Sequence, residues 1–345
     1  MGISDCLKSA TSRRTLLRSF GAAAAVVAAP SVLRAQAPMV MKIGTPTIND
    51  NQHQWMKIFA EAIEKGSDGK LKAELYPASQ LGSTPRMIEG AQFGAIQAVV
   101  LPPEFLAGVD SRFEVLGAPG LFKDTAHAER TLHDPDFYKT FLAIGEGRGL
   151  KGIGLYTSAP MMINSRTKLQ GVDDIAGKKI RVLASAMQTE QLKRMRATGI
   201  PMPLSEVMPA LQQGTIDGVM SVLPVISAMR YYDAAKYVLE THHAIVTVTS
   251  VVSKLWFDKL SKDLQAVVVA AGEKADKDVY EWNIAFGEAQ QKAWLAAGGE
   301  VTPVSKAEQD ELMKLLLPIG AEVAGRRPQT KRLYDLLVKT AAKTA

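Results

Sequence analysis

The chain has 345 residues, 47% of them hydrophobic and 22% charged, which is enough to bury a full core and is usual for a soluble globular protein. Its formal net charge of +6 sits at the start: residues 1–37 hold five basic residues (Lys8, Arg13, Arg14, Arg18, Arg34) against Asp5, so the other 308 carry 36 basic and 34 acidic residues, or +2. That balance makes no electrostatic case for nucleic acid. The sole cysteine, Cys6, lies in the same segment, so residues 38–345 have no thiol for a disulfide, a nucleophile or a metal site.

The first segment, "SATSRRTLLRSFGAAAAVVAAPSVLRAQA", runs from a basic stretch through an Ala-rich apolar stretch to an A-x-A site ending at Ala37. This is the pattern of an export signal. The Arg13-Arg14 pair points to the twin-arginine type, with an ordinary Sec signal as the alternative. Pro30 and Arg34 break the apolar run short of the roughly 20 residues a membrane span needs.

"MVMKIGTP" then reads as a short buried strand. "HQWMKIFAEAIEKGSDGK" reads as a helix with Trp55, Ile58, Phe59, Ala62 and Ile63 at helical spacing. "LKAELYP" alternates as a strand ended by Pro77, "TPRMIEGAQFG" is a helix with Pro85 in its first turn, and "AIQAVVLPP" is again an apolar strand. This β-α-β-α-β order predicts a mostly parallel sheet flanked by helices. A second α/β unit follows: strands at "GLKGIGLYTS" and "MMINSR", a strand "KKIRVL", a helix "AMQTEQLKRMRATG", an edge strand or link at "IPMPL", and helix, turn and strand across "SEVMPALQQGTIDGVMSV". From about Asp263 to Ala297 runs a helical pattern near 50 Å long at 1.5 Å per residue, enough to run along two lobes. The tail through "GAEVAG" adds a strand and helices.

Several stretches together ("LYPASQLGSTPRMIEGAQFGAIQ", "DDIAGKKIRV", "MPLSEVMPALQQGTIDG", "YYDAAKYVLETHH", "SKLWFDKLSKDLQ") closely resemble the solute-binding subunits of tripartite ATP-independent periplasmic (TRAP) transporters, of the DctP type. The matches run in order from about Lys42 to Leu264. The resemblance implies an α/β, two-lobed periplasmic-binding-protein-like fold with mixed sheets and a long helix spanning both lobes. It implies ligand capture by closure in an interlobe cleft, delivery to TRAP membrane subunits, and no catalysis. The expected division is an export signal at 1–37, lobe I at 38–157 with a returning segment at about 246–280, and lobe II at 158–245 with C-terminal segments at about 281–345.

The resemblance also implies that Arg181, between Ile180 and Val182 in "KIRV", points into the cleft and binds a ligand carboxylate. A planar guanidinium matches a carboxylate with two parallel donors. The alternative is that Arg181 meets solvent or an internal carboxylate such as Asp173. Lesser candidates each carry a plainer alternative. His53, in the loop before the first helix, lines the cleft or is a surface histidine. Glu104, at a strand's end where α/β sheets bind ligands, accepts a ligand hydroxyl or is a solvated loop carboxylate. Tyr156 stacks on the ligand or belongs to the core, and Met162 divides evenly between cleft and core.

Two departures from the family pattern bear on the ligand. Many members carry an upstream arginine where this chain has Pro160 or Met161. Their polar residues after "DG" correspond to Val219–Leu223, "VMSVL", in which only Ser221 is polar. The cleft is thus expected to be apolar with one arginine, favouring a monocarboxylate with an apolar or aromatic body over a C4-dicarboxylate. "GRGLKG" at Gly147–Gly152 has the letters of a dinucleotide fingerprint but precedes a strand instead of following one. His242 and His243 alternate across a strand with no acidic residue at ligand spacing, so neither cofactor nor metal is expected. The resulting expectation is a periplasmic protein that captures a small organic acid through Arg181, Ser221, Tyr156 and His53. The alternatives are a ligand-presenting sensor module and an exported enzyme.

Overall fold

The computed structural model describes residues 37–345; the export-signal reading falls, apart from Ala37, outside them. The elements in order are β1 (Met39–Gly44), α1 (Asn51–Gly66), β2 (Leu71–Tyr76), α2 (Thr84–Gln92) and β3 (Ala98–Leu101). Two short 3-10 turns, Pro103–Leu106 and Ser111–Gly117, lead to α3 (Thr125–Leu132), α4 (Pro135–Leu142), β4 (Leu150–Pro160) and β5 (Met162–Ser165). Then come β6 (Lys179–Val182), α5 (Ala186–Arg194), β7 (Thr198–Pro201), α6 (Leu204–Gln213), β8 (Gly218–Ser221), α7 (Leu223–Ala228), β9 (Tyr237–Glu240) and β10 (Ile245–Ser253). The chain ends with α8 (Lys254–Phe257), α9 (Lys262–Ala296), β11 (Glu300–Pro303), α10 (Lys306–Leu316), α11 (Pro318–Ala324) and α12 (Pro328–Thr344).

These form two lobes, each built on one sheet. The first sheet has the order β2-β1-β3-β10-β4 and the second β11-β9-β5-β8-β6-β7. The first is mixed, as the resemblance implies and the β-α-β-α-β order alone does not: β1 pairs parallel with β2 and β3, but β10 returns from the second lobe and inserts antiparallel between β3 and β4. Both faces of this sheet are covered, and β3 shows why it is apolar throughout. Ala98 and Val100 face one cluster with Trp55, Phe59 and Val268, while Val99 and Leu101 face another with Met87, Phe113 and Phe137. Alternate residues of a strand point to opposite faces, so a doubly covered strand has no polar position to spare.

The lobes meet at two crossing strands. The ends of β4 and β10 are paired, Pro160 opposite Ile245, and the Met161 N–H donates to the Ala244 carbonyl at 2.8 Å. Helix α9 braces both lobes: Val268, Ala271 and Ala275 pack into the first-lobe core, and Trp294 packs into a second-lobe cluster with Leu204 and Val219. Helix α12 departs from the expected division of the chain. Its Leu333 and Leu337 pack with Phe137 and Leu101 of the first lobe, because its apolar stripe covers the outer face of that lobe.

Candidate functional site

Arg181 stands in the middle of β6 at 1% exposure. Its neighbours Ile180 and Val182 belong to one core cluster of the second lobe, so strand alternation turns Arg181 to the opposite face. There Nε donates to the Met202 carbonyl at 3.0 Å, and the guanidinium carbon lies 5.7 Å from the centre of the Phe105 ring, within cation–π range. Nη2 has no hydrogen-bond partner among the described residues. Asp173, the candidate internal counter-ion, is 95% exposed and pairs with Arg196 at 2.6 Å instead. Burial pulls Arg181 down to about 10, with Tyr231 opposing, so the group is still a cation near neutral pH. Burial pushes Tyr231 up to about 12, and the neutral phenol supplies no counter-charge. A buried guanidinium without a carboxylate is an expensive arrangement.

Arg181 opens onto a cavity of about 40 Å³ between the lobes. The first lobe contributes Thr47, Gln52, Phe105 and Ser158; the second contributes Arg181, Gln188, Met220 and Ser221. Pro46, Pro102, Leu204, Val222, Val225, Val246 and Val248 make the remaining wall chiefly apolar. At ~10–15 Å³ per water-sized probe the space is that of a few solvent molecules, so the lobes are drawn together here. Several polar groups of the wall are already engaged. Gln52 accepts from Thr45 Oγ1 at 3.2 Å and donates to Asp50 Oδ2 at 3.3 Å, and the Ser158 hydroxyl oxygen accepts from Asn51 Nδ2 at 2.8 Å. Arg181 is the only ionisable side chain in this wall among the described residues.

Of the six residues singled out from sequence, Arg181 and Ser221 line the cavity. Tyr156 is fully buried in the first-lobe core, its hydroxyl donating to the Asn51 carbonyl at 3.4 Å. His53 belongs to the first turn of α1, not to the loop before it, because Asp50 caps that helix by accepting the His53 N–H at 3.1 Å. Its Nδ1 accepts from the Asn49 N–H at 3.2 Å, away from the cavity wall. Glu104 is neither a solvated carboxylate nor a wall residue. It is 1% exposed beneath the turn carrying Gly117, and burial, with a small contribution from Glu114, pushes it up to about 8. Met162 packs with Leu204 and Val219; its neighbour Met161 is the one in the wall. The sequence reading missed Thr47, Gln52, Phe105, Ser158 and Gln188. Four of the five share one signal, position: Thr47, Gln52, Phe105 and Gln188 follow the C-terminal ends of β1, β3 and β6, where open α/β sheets gather ligands, while Ser158 lies within β4.

Two sheets joined by crossing strands, a helix bracing both, and a buried cation facing the space between them define a two-lobed solute-binding protein. The chain belongs to the DctP family, bacterial extracellular solute-binding protein family 7, whose family model matches residues 44–326. It is 33% identical over 227 residues to the 2,3-diketo-L-gulonate-binding periplasmic protein YiaO of Escherichia coli (strain K12), covering 66% of this chain and 69% of that one. The TRAP periplasmic solute-binding protein of Desulfovibrio salexigens with bound orotic acid matches with a TM-score of 0.84 at 25% identity, over 89% of this chain and 99% of the other. A TRAP periplasmic solute-binding protein of a Bradyrhizobium strain, in complex with D-galacturonate, gives 0.82 at 26% identity over 87% and 100%. The family places the protein in the periplasm as the small-acid-binding component of a TRAP transporter. Among the described residues no helix is long and apolar enough to cross a membrane.

Proposed function

We propose that the cavity takes a small organic monocarboxylate with a planar or apolar body, and that Arg181 holds its carboxylate. The observation that carries this is a buried guanidinium whose Nη2 has no partner, and whose wall has no acidic residue, among the described residues. One cation balances one anionic group, and a second carboxylate would be desolvated against Met220, Val222 and Val225 with nothing to pair it. Orotate, bound by the Desulfovibrio salexigens relative, has this chemistry: one carboxylate on a flat ring. The site is read as one of capture without turnover, since the single ionisable side chain in its wall among the described residues is an arginine, which is a poor general base. Closure follows from the geometry, because only the closed lobes contact a ligand from both sides.

The test is a thermal-shift screen of the chain from Pro38 against orotate, benzoate, galacturonate and succinate. A ligand at 100 times its dissociation constant adds about 2.7 kcal/mol. Stabilisation by the monocarboxylates alone is the expected result. Equal stabilisation by succinate sinks the single-cation reading, and release of a chemically altered ligand sinks capture without turnover.

A further inference from the structure

The cavity wall holds a second buried donor for which the arginine reading has no use. Gln188 lies in the first turn of α5, fully buried, and lines the same cavity as Arg181. Its amide has one defensible orientation. Oε1 accepts the Leu183 backbone N–H at 2.9 Å, and only the carbonyl end of an amide can accept. Nε2 is thereby turned away from that bond, and it has no hydrogen-bond partner among the described residues. A buried amide N–H without an acceptor is both costly and uncommon.

This donor and the guanidinium belong to the wall of one cavity. Leu183 is two residues beyond Arg181, just past the end of β6, and both line the cavity. The bond to Leu183 pins the Gln188 amide to that same wall. In a cavity of about 40 Å³, two donors on one wall are within reach of a single small anion.

We propose that Gln188 is a ligand-binding residue, its Nε2 donating to an oxygen of the acid that Arg181 holds. The proposal rests on the reading of Arg181 as the carboxylate holder and deepens it. Arg181 supplies the charge, and the fixed amide supplies a direction, so the bound acid is held in one rotation about its carboxylate axis. The site then selects acids that present an acceptor oxygen to each donor. An acid without the second acceptor leaves Nε2 buried and unpaired, the situation in which hydrogen-bonding sites discriminate best.

Gln188→Glu separates this role from that of anchoring Leu183, because it keeps Oε1 as an acceptor and replaces only the donor. Orotate is the probe, with affinity read by calorimetry and ligand-free Tm by scanning calorimetry. Gln188→Glu should lower orotate affinity by about 100-fold, since it removes a donor and sets an anion against the ligand. It should also raise the ligand-free Tm, because Arg181 gains a counter-charge. Gln188→Leu, which removes the donor without adding charge but also removes the acceptor of the Leu183 N–H, should lower affinity by about 10-fold or more. Wild-type affinity in both variants, with Arg181→Ala abolishing binding, overturns the proposal and leaves the arginine reading standing. Wild-type orotate affinity in Arg181→Ala overturns the arginine reading and this proposal with it.

Discussion

Glu114 and Ala186 join the two lobes. The Glu114 carboxylate, on the turn Ser111–Gly117 of the first lobe, accepts the Ala186 backbone N–H at the start of α5 in the second lobe at 2.9 Å. The same oxygen accepts from the Ser185 hydroxyl at 3.3 Å. An anion at a helix N-terminus meets unsatisfied N–H groups and the positive end of the helix dipole. The helix so held begins four residues after the strand that carries Arg181, so the contact closes the lobes beside the site.

Glu114→Ala should therefore weaken ligand capture without touching the ligand. Hydrogen bonds to a charged group contribute about 1.5–3 kcal/mol. If they are made only in the closed arrangement, their loss shifts the lobe equilibrium and lowers affinity about 10- to 100-fold. Calorimetry with orotate, alongside circular dichroism to verify the fold, checks this. An unchanged dissociation constant would mean that the contact survives opening and has no part in closure.

Arg181→Met should separate stability from function. Among the described residues the arginine is fully buried, pairs with no carboxylate, and keeps one strong hydrogen bond, to Met202. Replacing it with an apolar chain of similar length removes an uncompensated charge, which stabilises by about 1–2 kcal/mol after the lost hydrogen bond. The ligand-free protein should melt higher while acid binding disappears. A variant that melts lower would show that Arg181 is held by interactions that stabilise the fold, and a variant that still binds would remove the arginine from the site.

Glu104 predicts a pH dependence. Burial, opposed by a hydrogen bond from its own backbone and reinforced by Glu114, raises its carboxyl from 4.5 to about 8. Because the folded value is raised, its contribution to stability is fully present below about 4.5 and is lost as pH climbs to about 8. Tm should therefore fall from pH 5 to pH 8 in the wild type. Glu104→Gln, neutral at every pH, should flatten that decline and melt higher at pH 8. Parallel Tm curves for the two proteins would refute the assignment of the slope to Glu104.

Several elements of this fold are legible because each carries one clear period, whereas the short helices Thr125–Leu132 and Pro135–Leu142 are too brief to show one. Lys262–Ala296 stands within a residue of the helix expected at Asp263–Ala297, and "KIRV" is a strand whose alternation singles out Arg181. The cavity wall was less legible, for physical reasons. It is assembled from segments as distant as Thr47 and Val248, and no local pattern states which of them meet. Met161 in the wall and Met162 in the core show how sharp the difficulty is, since one residue along extended chain exchanges cavity for core. Residue type leaves Tyr156 open between ligand and core, and it joins the core cluster that holds Trp55 and Ile153. The mixed first sheet is legible only through the family resemblance, because the local β-α-β-α-β order reads as parallel and β10 joins the sheet only after the chain has visited the second lobe.

The attachment of α9 to the first lobe gives a prediction with its own control. Gly272 approaches β4 so closely that an added Cβ would lie 1.9 Å from the Ile153 carbonyl oxygen, and backbone cannot step aside cheaply. One turn on, Asp276 fixes the helix against sliding. It accepts from Trp55 Nε1 at 2.7 Å, the Leu155 N–H at 2.7 Å and the Tyr138 hydroxyl at 2.9 Å. Gly272→Ala must displace either the helix or the strand, and overpacking of this kind costs about 1–3 kcal/mol or more. Gly287, in the same helix, has nothing within 4 Å of an added Cβ, so Gly287→Ala should stabilise by about 0.5–1 kcal/mol through helix propensity alone. Urea unfolding of both variants measures the contrast. Equal effects at the two positions would show that the close passage of α9 over β4 is not what requires glycine at 272.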